Sequence, residues 1–358
     1  MNSRISLLTS FMPEDADAAL IVSAQNTRYF TDFPCSDGYL LITREQAYFL
    51  VDSRYAEAAE KEAHSCQVVA YRKLSDELKN IILKNDVRTI LLEGSAFTLN
   101  RAETIEEMVR PFGARCIKDA SLDRIISRLR IVKTADEVGK IRKAQRITEE
   151  SLSETLKLIK EGVSERDLAL ELEYKMRKKG ADGISFDLIA LTGKKTSMPH
   201  GVPGYETVKN GDFILFDIGA TYEGYHSDMT RTYVFGKADE QQKRVYNTVL
   251  QAQLNGIRAV ADGVCCGDVD KAARDHIDQA GYEGLFGHST GHGVGLEIHE
   301  APSVSPHSDF MLRSGMVITV EPGIYIPDTY GVRIEDMVVV TNDGCINLAT
   351  LPKELTEL

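Results

Sequence analysis

The chain has 358 residues, 43% hydrophobic and 27% charged, with a formal net charge of −12; that is long for one hydrophobic core and comfortable for two domains. The acid excess argues against a nucleic-acid partner, which would want a basic face, and no stretch approaches the roughly 20 apolar residues that span a bilayer. Six scattered cysteines without a Cys-x-x-Cys pair fit a reduced, cytoplasmic compartment, and the apolar run from Ile5 to Met12 is too short, and too soon followed by Pro13-Glu14-Asp15, for a secretory signal.

In the first third, apolar runs predict strands over residues 18–24, 38–43 and 47–52, the last two around the polar turn Arg44-Glu45-Gln46. A helix is expected over 53–64 and a strand over 89–93. Strands alternating with helices predict an α/β domain over residues 1–124. It contains no catalytic constellation. A join is expected near residues 121–133.

After it, Thr134 and Glu137 have the spacing of a capping box. Apolar positions at Val138, Ile141, Ala144, Leu152, Leu156 and Ile159 then predict a helix with one buried face. Further helices are expected from Ser164 to about Gly180, over 239–261 and over 268–280. Strands and turns fill the remainder, which makes residues 130–358 an α+β domain.

This second part carries a faint internal repeat. The segment from Lys209 to Asp217 resembles that from Arg313 to Glu321: a turn glycine leads to an acid at the end of an apolar strand. Each is followed by a glycine, a tyrosine-bearing turn and a returning strand with a second acid, Asp228 and Glu335. Paired strands turning near Gly224 and near Thr329-Tyr330-Gly331 would bring each pair of acids together. Single carboxylates at strand ends are usually solvated or capping. Four brought together repel and are costly to bury, and cations remove that cost.

The segment from Gly287 to Glu300 adds His288, His292 and His299 among four glycines. Glycine lets the backbone approach a site closely. The segment is not a His-Glu-x-x-His zinc motif, and spacing alone leaves open which imidazole joins the acids. Carboxylates with one imidazole suit Mn²⁺ or Co²⁺ as a pair, with Zn²⁺ as an alternative. Two ions about 3.5–4 Å apart can share a water, lower its pKa and stabilise a tetrahedral oxyanion, so hydrolysis is the chemistry expected.

The motifs Met198-Pro-His-Gly201, Phe216-Asp-Ile-Gly219, Ser227-Asp-Met-Thr-Arg231, Gly291-His-Gly-Val-Gly295, His299-Glu-Ala-Pro302, Val320-Glu-Pro-Gly-Ile-Tyr325 and Val332-Arg-Ile-Glu-Asp336 resemble, in order and spacing, the pita-bread metallopeptidases: methionine aminopeptidase, aminopeptidase P and prolidase. The first domain resembles, more loosely, the creatinase-type domain of the proline-specific members. The resemblance implies a dinuclear-metal exopeptidase that cleaves on the amino side of proline by a metal-bridged hydroxide. It implies that Asp217 chelates one ion, that Asp228 and Glu335 bridge both, and that His292 and Glu321 complete the second. It places Glu321 where the proton of the water is handled, and His200 and His299 beside the scissile bond. His288 falls in the proline pocket, Arg333 near Glu335 on the substrate side, and Arg231 under the hairpin. Short Xaa-Pro peptides are the implied substrates and a homodimer the implied assembly, with one subunit's N-terminal domain narrowing access to the other's site. Some family dipeptidases carry arginine after the His-Glu-x-Pro motif; here Ser303 follows Pro302, which counts against a strict dipeptidase. Rival readings are a methionine aminopeptidase-like enzyme, a metal-free creatinase-like hydrolase and a non-catalytic peptide-binding protein on the same scaffold.

Overall fold

A computed structural model describes residues 3–358, and the chain divides into two units, one ending at Arg130 and the other beginning at Ile131. In the first, continuous apolar runs make the strands β1 (Ala18–Ile21), β2 (Gly38–Thr43), β3 (Ala47–Val51), β4 (Gln67–Ala70), β5 (Thr89–Leu92) and β6 (Arg115–Ile117). They form one mixed sheet in the order β4-β3-β2-β1-β5-β6. The helices are α1 (Ser3–Phe11), α2 (Ala24–Thr31), α3 (Ala56–Glu62), α4 (Leu74–Lys84), α5 (Leu99–Val109) and α6 (Ser121–Arg130). Leu20, Leu41, Leu50 and Leu92 of the sheet pack with Leu78 and Ile82 of α4 and Ile105 and Val109 of α5, and the intervening Ile21, Leu40, Ile42, Phe49 and Leu91 are buried too; burial of both faces explains why these strands read as unbroken apolar runs.

Two expectations change here. The strand expected over 18–24 stops at Ile21, because Ser23 caps α2 by accepting the Asn26 N–H at 3.2 Å. The buried Glu93 carboxylate takes the Val22 and Ser23 N–H groups. Residues 121–130, expected to be a join, are the helix α6, whose Leu122 and Ile126 are buried.

In the second unit the capping box is present: the Glu137 N–H donates to Thr134 Oγ1 at 3.3 Å and the Thr134 N–H to Glu137 Oε2 at 2.7 Å. It opens α7 (Ala135–Thr155), followed by α8 (Glu165–Lys178), α9 (Glu240–Ala259) and α10 (Cys266–Ile277). Strands β7 (Gly183–Ile184), β8 (Ile189–Thr192), β9 (Phe213–Ile218), β10 (Ala220–Tyr222), β11 (Tyr225–His226) and β12 (Met229–Val234) come before α9. Strands β13 (Gly291–Gly293), β14 (Glu300–Val304), β15 (Val317–Val320), β16 (Gly323–Ile326), β17 (Tyr330–Arg333), β18 (Asp336–Thr341) and β19 (Gly344–Asn347) come after α10.

Both expected hairpins form, with different regularity. β9 pairs antiparallel with β12, Asp217 opposite Thr230, and the chain between them folds into the small β10–β11 hairpin turning at Glu223-Gly224. In the second, β15 pairs with β18 and β16 with β17, but these pairs lie in different sheets. The ladder breaks at Pro322, which has no N–H to give. The two hairpins meet along one seam: the Glu335 N–H donates to Thr230 O at 3.2 Å, Thr232 Oγ1 donates to Arg333 O at 2.9 Å, and Arg231 Nη1 donates to Glu335 O at 2.6 Å. The acids stand along that seam.

Candidate metal centre and substrate cavity

Asp217 lies within β9, Asp228 just before β12, Glu321 just after β15 and Glu335 between β17 and β18. His292 lies in β13 at a register shift between His292 and Gly293. Donor atoms of Asp228, His292 and Glu335 lie within 4.8 Å of one another. His292 Nε2 is 3.5 Å from Asp228 Oδ2 and 3.4 Å from Glu321 Oε1. Asp217, Asp228, Glu321, Glu335 and His292 all line one cavity of about 610 Å³, together with His200, His288, His299, Ser303 and Arg333.

The electrostatics of the group follow from burial. Burial first, then Asp217 and Glu321, raises the Asp228 carboxyl well above the carboxylate range; burial and Asp228 do the same to Glu335. Glu321 is pushed up to about 8, by burial, with Arg333 opposing and Asp217 assisting. His292 is pushed down to about 4 by burial and is therefore neutral at pH 7. Its Nδ1 donates to Gly293 O at 3.1 Å, so the Nε2 lone pair points at carboxylate oxygens. Lone-pair donors facing each other repel unless a proton or a cation lies between them. Asp217 Oδ1 and Glu335 Oε1 are buried and accept no hydrogen bond, although buried polar atoms normally find partners. Repelling donors and orphaned acceptors fit divalent ions, and the oxygen-rich set is of the kind that suits them.

A second layer holds these groups. Thr230 Oγ1 donates to Glu335 Oε2 at 2.8 Å and accepts Arg333 Nε at 3.1 Å. Arg333 Nη2 donates to Asp217 Oδ2 at 2.6 Å and Nη1 to Tyr325 OH at 2.7 Å. His288 Nδ1 donates to Ser289 O, so its Nε2 accepts the Tyr325 hydroxyl at 2.8 Å. Burial, Arg333 and other neighbours keep this imidazole neutral, pushed down to about 4. Thr319 Oγ1 accepts the His292 N–H at 3.1 Å and donates to Glu321 Oε1 at 3.1 Å. On α10, Asp270 accepts both Nε and Nη2 of Arg274. Arg274 in turn donates to the Phe286 and His288 carbonyls, and Asp270 also takes the Thr290 N–H and hydroxyl. His299 packs edge-on to His292 with ring centroids 4.4 Å apart.

Arg333, expected on the substrate side, lines the cavity but commits its guanidinium to Asp217, Tyr325, Thr230 and Pro199 O. Arg231 is buried under the seam, bound to Asp336 and to the Glu335 carbonyl. Sequence reasoning gave no role to Thr230, Thr319, Tyr325, Asp270 or Arg274. Thr230 and Tyr325 do lie inside the quoted motifs.

Residues 139–342 match the model of metallopeptidase family M24, and residues 4–132 match that of the Creatinase/Prolidase N-terminal domain. The chain belongs to metallopeptidase family M24. Among M24 relatives, it is 38% identical to the Xaa-Pro dipeptidase of Pyrococcus furiosus, over 99% of this chain and 100% of that one. The structure of an Xaa-Pro dipeptidase from Bacillus anthracis superposes with a TM-score of 0.94 at 38% identity, covering 99% of both chains. An X-Pro aminopeptidase from Thermotoga maritima gives a TM-score of 0.90 at 36% identity, covering 96% of this chain and 98% of that one. The fold is therefore a creatinase-type N-terminal domain followed by the pita-bread catalytic domain of the M24 family. A family M24 metallopeptidase is a hydrolase that works with divalent metal ions.

Proposed function

We propose that this chain hydrolyses the peptide bond on the amino side of proline in short peptides with proline as second residue, with two divalent ions held by Asp217, Asp228, His292, Glu321 and Glu335. The observation that carries this reading is the neutral His292 Nε2 turned toward a group of buried carboxylates, in the cavity that also contains His200, His288 and His299. The names of the relatives, dipeptidases and an aminopeptidase acting on Xaa-Pro, support it.

Asp217, Asp228, His292, Glu321 and Glu335 would hold the ions, with Asp228, His292 and Glu335 at the centre of the group. The ions, when bound, lower the pKa of water and favour negative charge at the substrate carbonyl oxygen. Glu321 takes the proton that the water releases and returns it to the departing proline nitrogen, which leaves as an amine. His200 and His299 flank the scissile bond, bind its carbonyl and stabilise the tetrahedral intermediate. His288, fixed by Tyr325 and Ser289, offers a neutral face beside Phe286 to the proline ring. Arg333 orients Asp217 and Tyr325. Mn²⁺ is the proposed ion, from the hard donor set. Six free cysteines support a reducing, cytoplasmic setting, and the family resemblance supports a homodimer.

Among the described residues, Arg333 is the one arginine or lysine that lines the cavity, and it is already bonded; Ser303 stands in the wall. A free C-terminal carboxylate therefore meets no open cation among the lining residues. This supports cleavage of longer Xaa-Pro peptides beside dipeptides. Ala-Pro and Ala-Pro-Ala, assayed with Mn²⁺ and after EDTA, test the reading. Release of alanine from both, abolished by EDTA, is expected. Turnover that persists after complete metal removal, or no release from either peptide with Mn²⁺ or Co²⁺, would overturn it.

A further inference from the structure

His200 rests on a loop, residues 193–204, that has no strand partners of its own and places His200, Gly201, Val202 and Pro203 in the cavity wall. The His200 imidazole makes no hydrogen bond among the described residues, so its position depends on the backbone of the loop. At its neck the Arg166 N–H donates to Gly204 O at 3.0 Å on the outgoing side, and one carboxylate joins the two sides. Glu165, the first residue of α8 and fully buried, accepts the Thr192 N–H on Oε1 at 2.8 Å and the Gly204 N–H on Oε2 at 2.9 Å. Both ends of the loop thus meet on one side chain. Lys195 Nζ, inside the loop, donates to the same Oε2 at 2.7 Å and to Glu206 at 3.0 Å. Further along, the Gly331 N–H donates to Thr196 Oγ1 at 2.9 Å and Arg333 Nη1 reaches Pro199 O at 3.4 Å, which seats the loop on β17.

We propose that Glu165 is a positioning residue for His200: its carboxylate staples the neck of the loop and so fixes the imidazole over the reacting bond. The chemistry favours a carboxylate there. Two oxygens accept two backbone N–H groups and an ammonium at once, and the charge sits at the positive end of α8. Glutamine has one acceptor oxygen and leaves a donor without a partner. The catalytic half of this inference rests on the proposed function; the stapling half does not.

The test uses the full-length, metal-loaded protein with Glu165→Ala, Glu165→Gln and Lys195→Met, each in wild-type and His200→Ala backgrounds. Glu165→Ala is expected to lower kcat for Ala-Pro-Ala about 10-fold or more, as losing a buried charged acceptor can, with KM less affected and metal content retained. In the His200→Ala background it should add less than about 2-fold, because residues that act as one unit are not additive. Glu165→Gln and Lys195→Met should fall between, and they carry the test if Glu165→Ala does not fold. Trypsin should nick the Glu165 variants after Lys194 or Lys195 faster than wild type, read by mass spectrometry. Equal nicking rates, or losses that multiply in full in the double variants, would overturn the proposal. Nicking needs no substrate, so a wild type that cleaves no Xaa-Pro peptide refutes the proposed function while still reporting on the staple.

Discussion

Metal removal should make the stability of this protein fall as pH rises, which is the reverse of ordinary acid denaturation. In the metal-free protein burial pushes Glu321 up from 4.5 to about 8, and it raises Asp228 and Glu335 in the same direction. The folded chain therefore holds protons that the unfolded chain has already released. That contribution is complete below the unfolded value and is lost as pH climbs through the folded one. His288 and His292, pushed down from 6.5 to about 4, have the opposite sign, and their effect is mostly exhausted above about pH 6.5. Between about pH 6.5 and 8.5, one carboxyl titrating at about 8 gives up roughly 2 kcal/mol and the two imidazoles return less than about 1 kcal/mol. The net loss of about 1 kcal/mol should lower the melting temperature by about 2–4 °C across this window, and the raised Asp228 and Glu335 carboxyls have the same sign. The assay is calorimetric melting of EDTA-treated, dialysed protein at constant ionic strength, repeated with saturating Mn²⁺. With the ion present the fall should vanish, and Glu321→Gln should remove its own share from the metal-free curve. A metal-free melting temperature that stays flat or rises from pH 6.5 to 8.5 would refute the reasoning.

Three further outcomes are expected. Thr230→Val removes both the donor to Glu335 and the acceptor for Arg333; metal affinity, read by competition with a chelator, should weaken about 10- to 100-fold, and unchanged affinity would refute the orienting role. Arg333→Met leaves Asp217 buried without its counter-ion, so the metal-free protein should lose about 3–5 kcal/mol in urea unfolding, and much of that should return on adding Mn²⁺. Arg274→Met frees the Phe286 and His288 carbonyls; KM for Ala-Pro should rise about 10-fold, the weight of one or two charged hydrogen bonds, with metal stoichiometry intact, and a loss confined to kcat would argue against a clamp on the proline pocket.

Local chemistry was legible in the sequence. The Thr134 capping box needs only residues three apart, and the acids of both hairpins lie in or beside apolar strands; the first turn is marked by Gly224, whereas the second falls at residues 327–329, before Gly331, which lies inside β17. Long-range chemistry was not. The choice of His292 among its neighbours depends on a register shift in β13 and on a bond from Nδ1 to Gly293 O, neither of which has a compositional signal. The clamp of α10 on the His288 segment joins residues far apart in the chain. The division at Arg130/Ile131 falls inside the segment expected to join the two parts, but the helical form of that segment goes beyond the expectation, although the apolar positions Leu122, Ile125, Ile126 and Leu129 have helical spacing.

The seam between the two hairpins has a mechanical meaning. Asp217 and Asp228 come from one hairpin, and Glu321 and Glu335 from the other, so neither half is a binding module by itself. Ions held there, as proposed above, would act as rivets between two plates and oppose slippage of one hairpin past the other. The coupling works in both directions. A strain that displaced the seam by one residue spacing, about 3.3 Å, would register as lost affinity for metal, and a loaded site would make that displacement correspondingly harder.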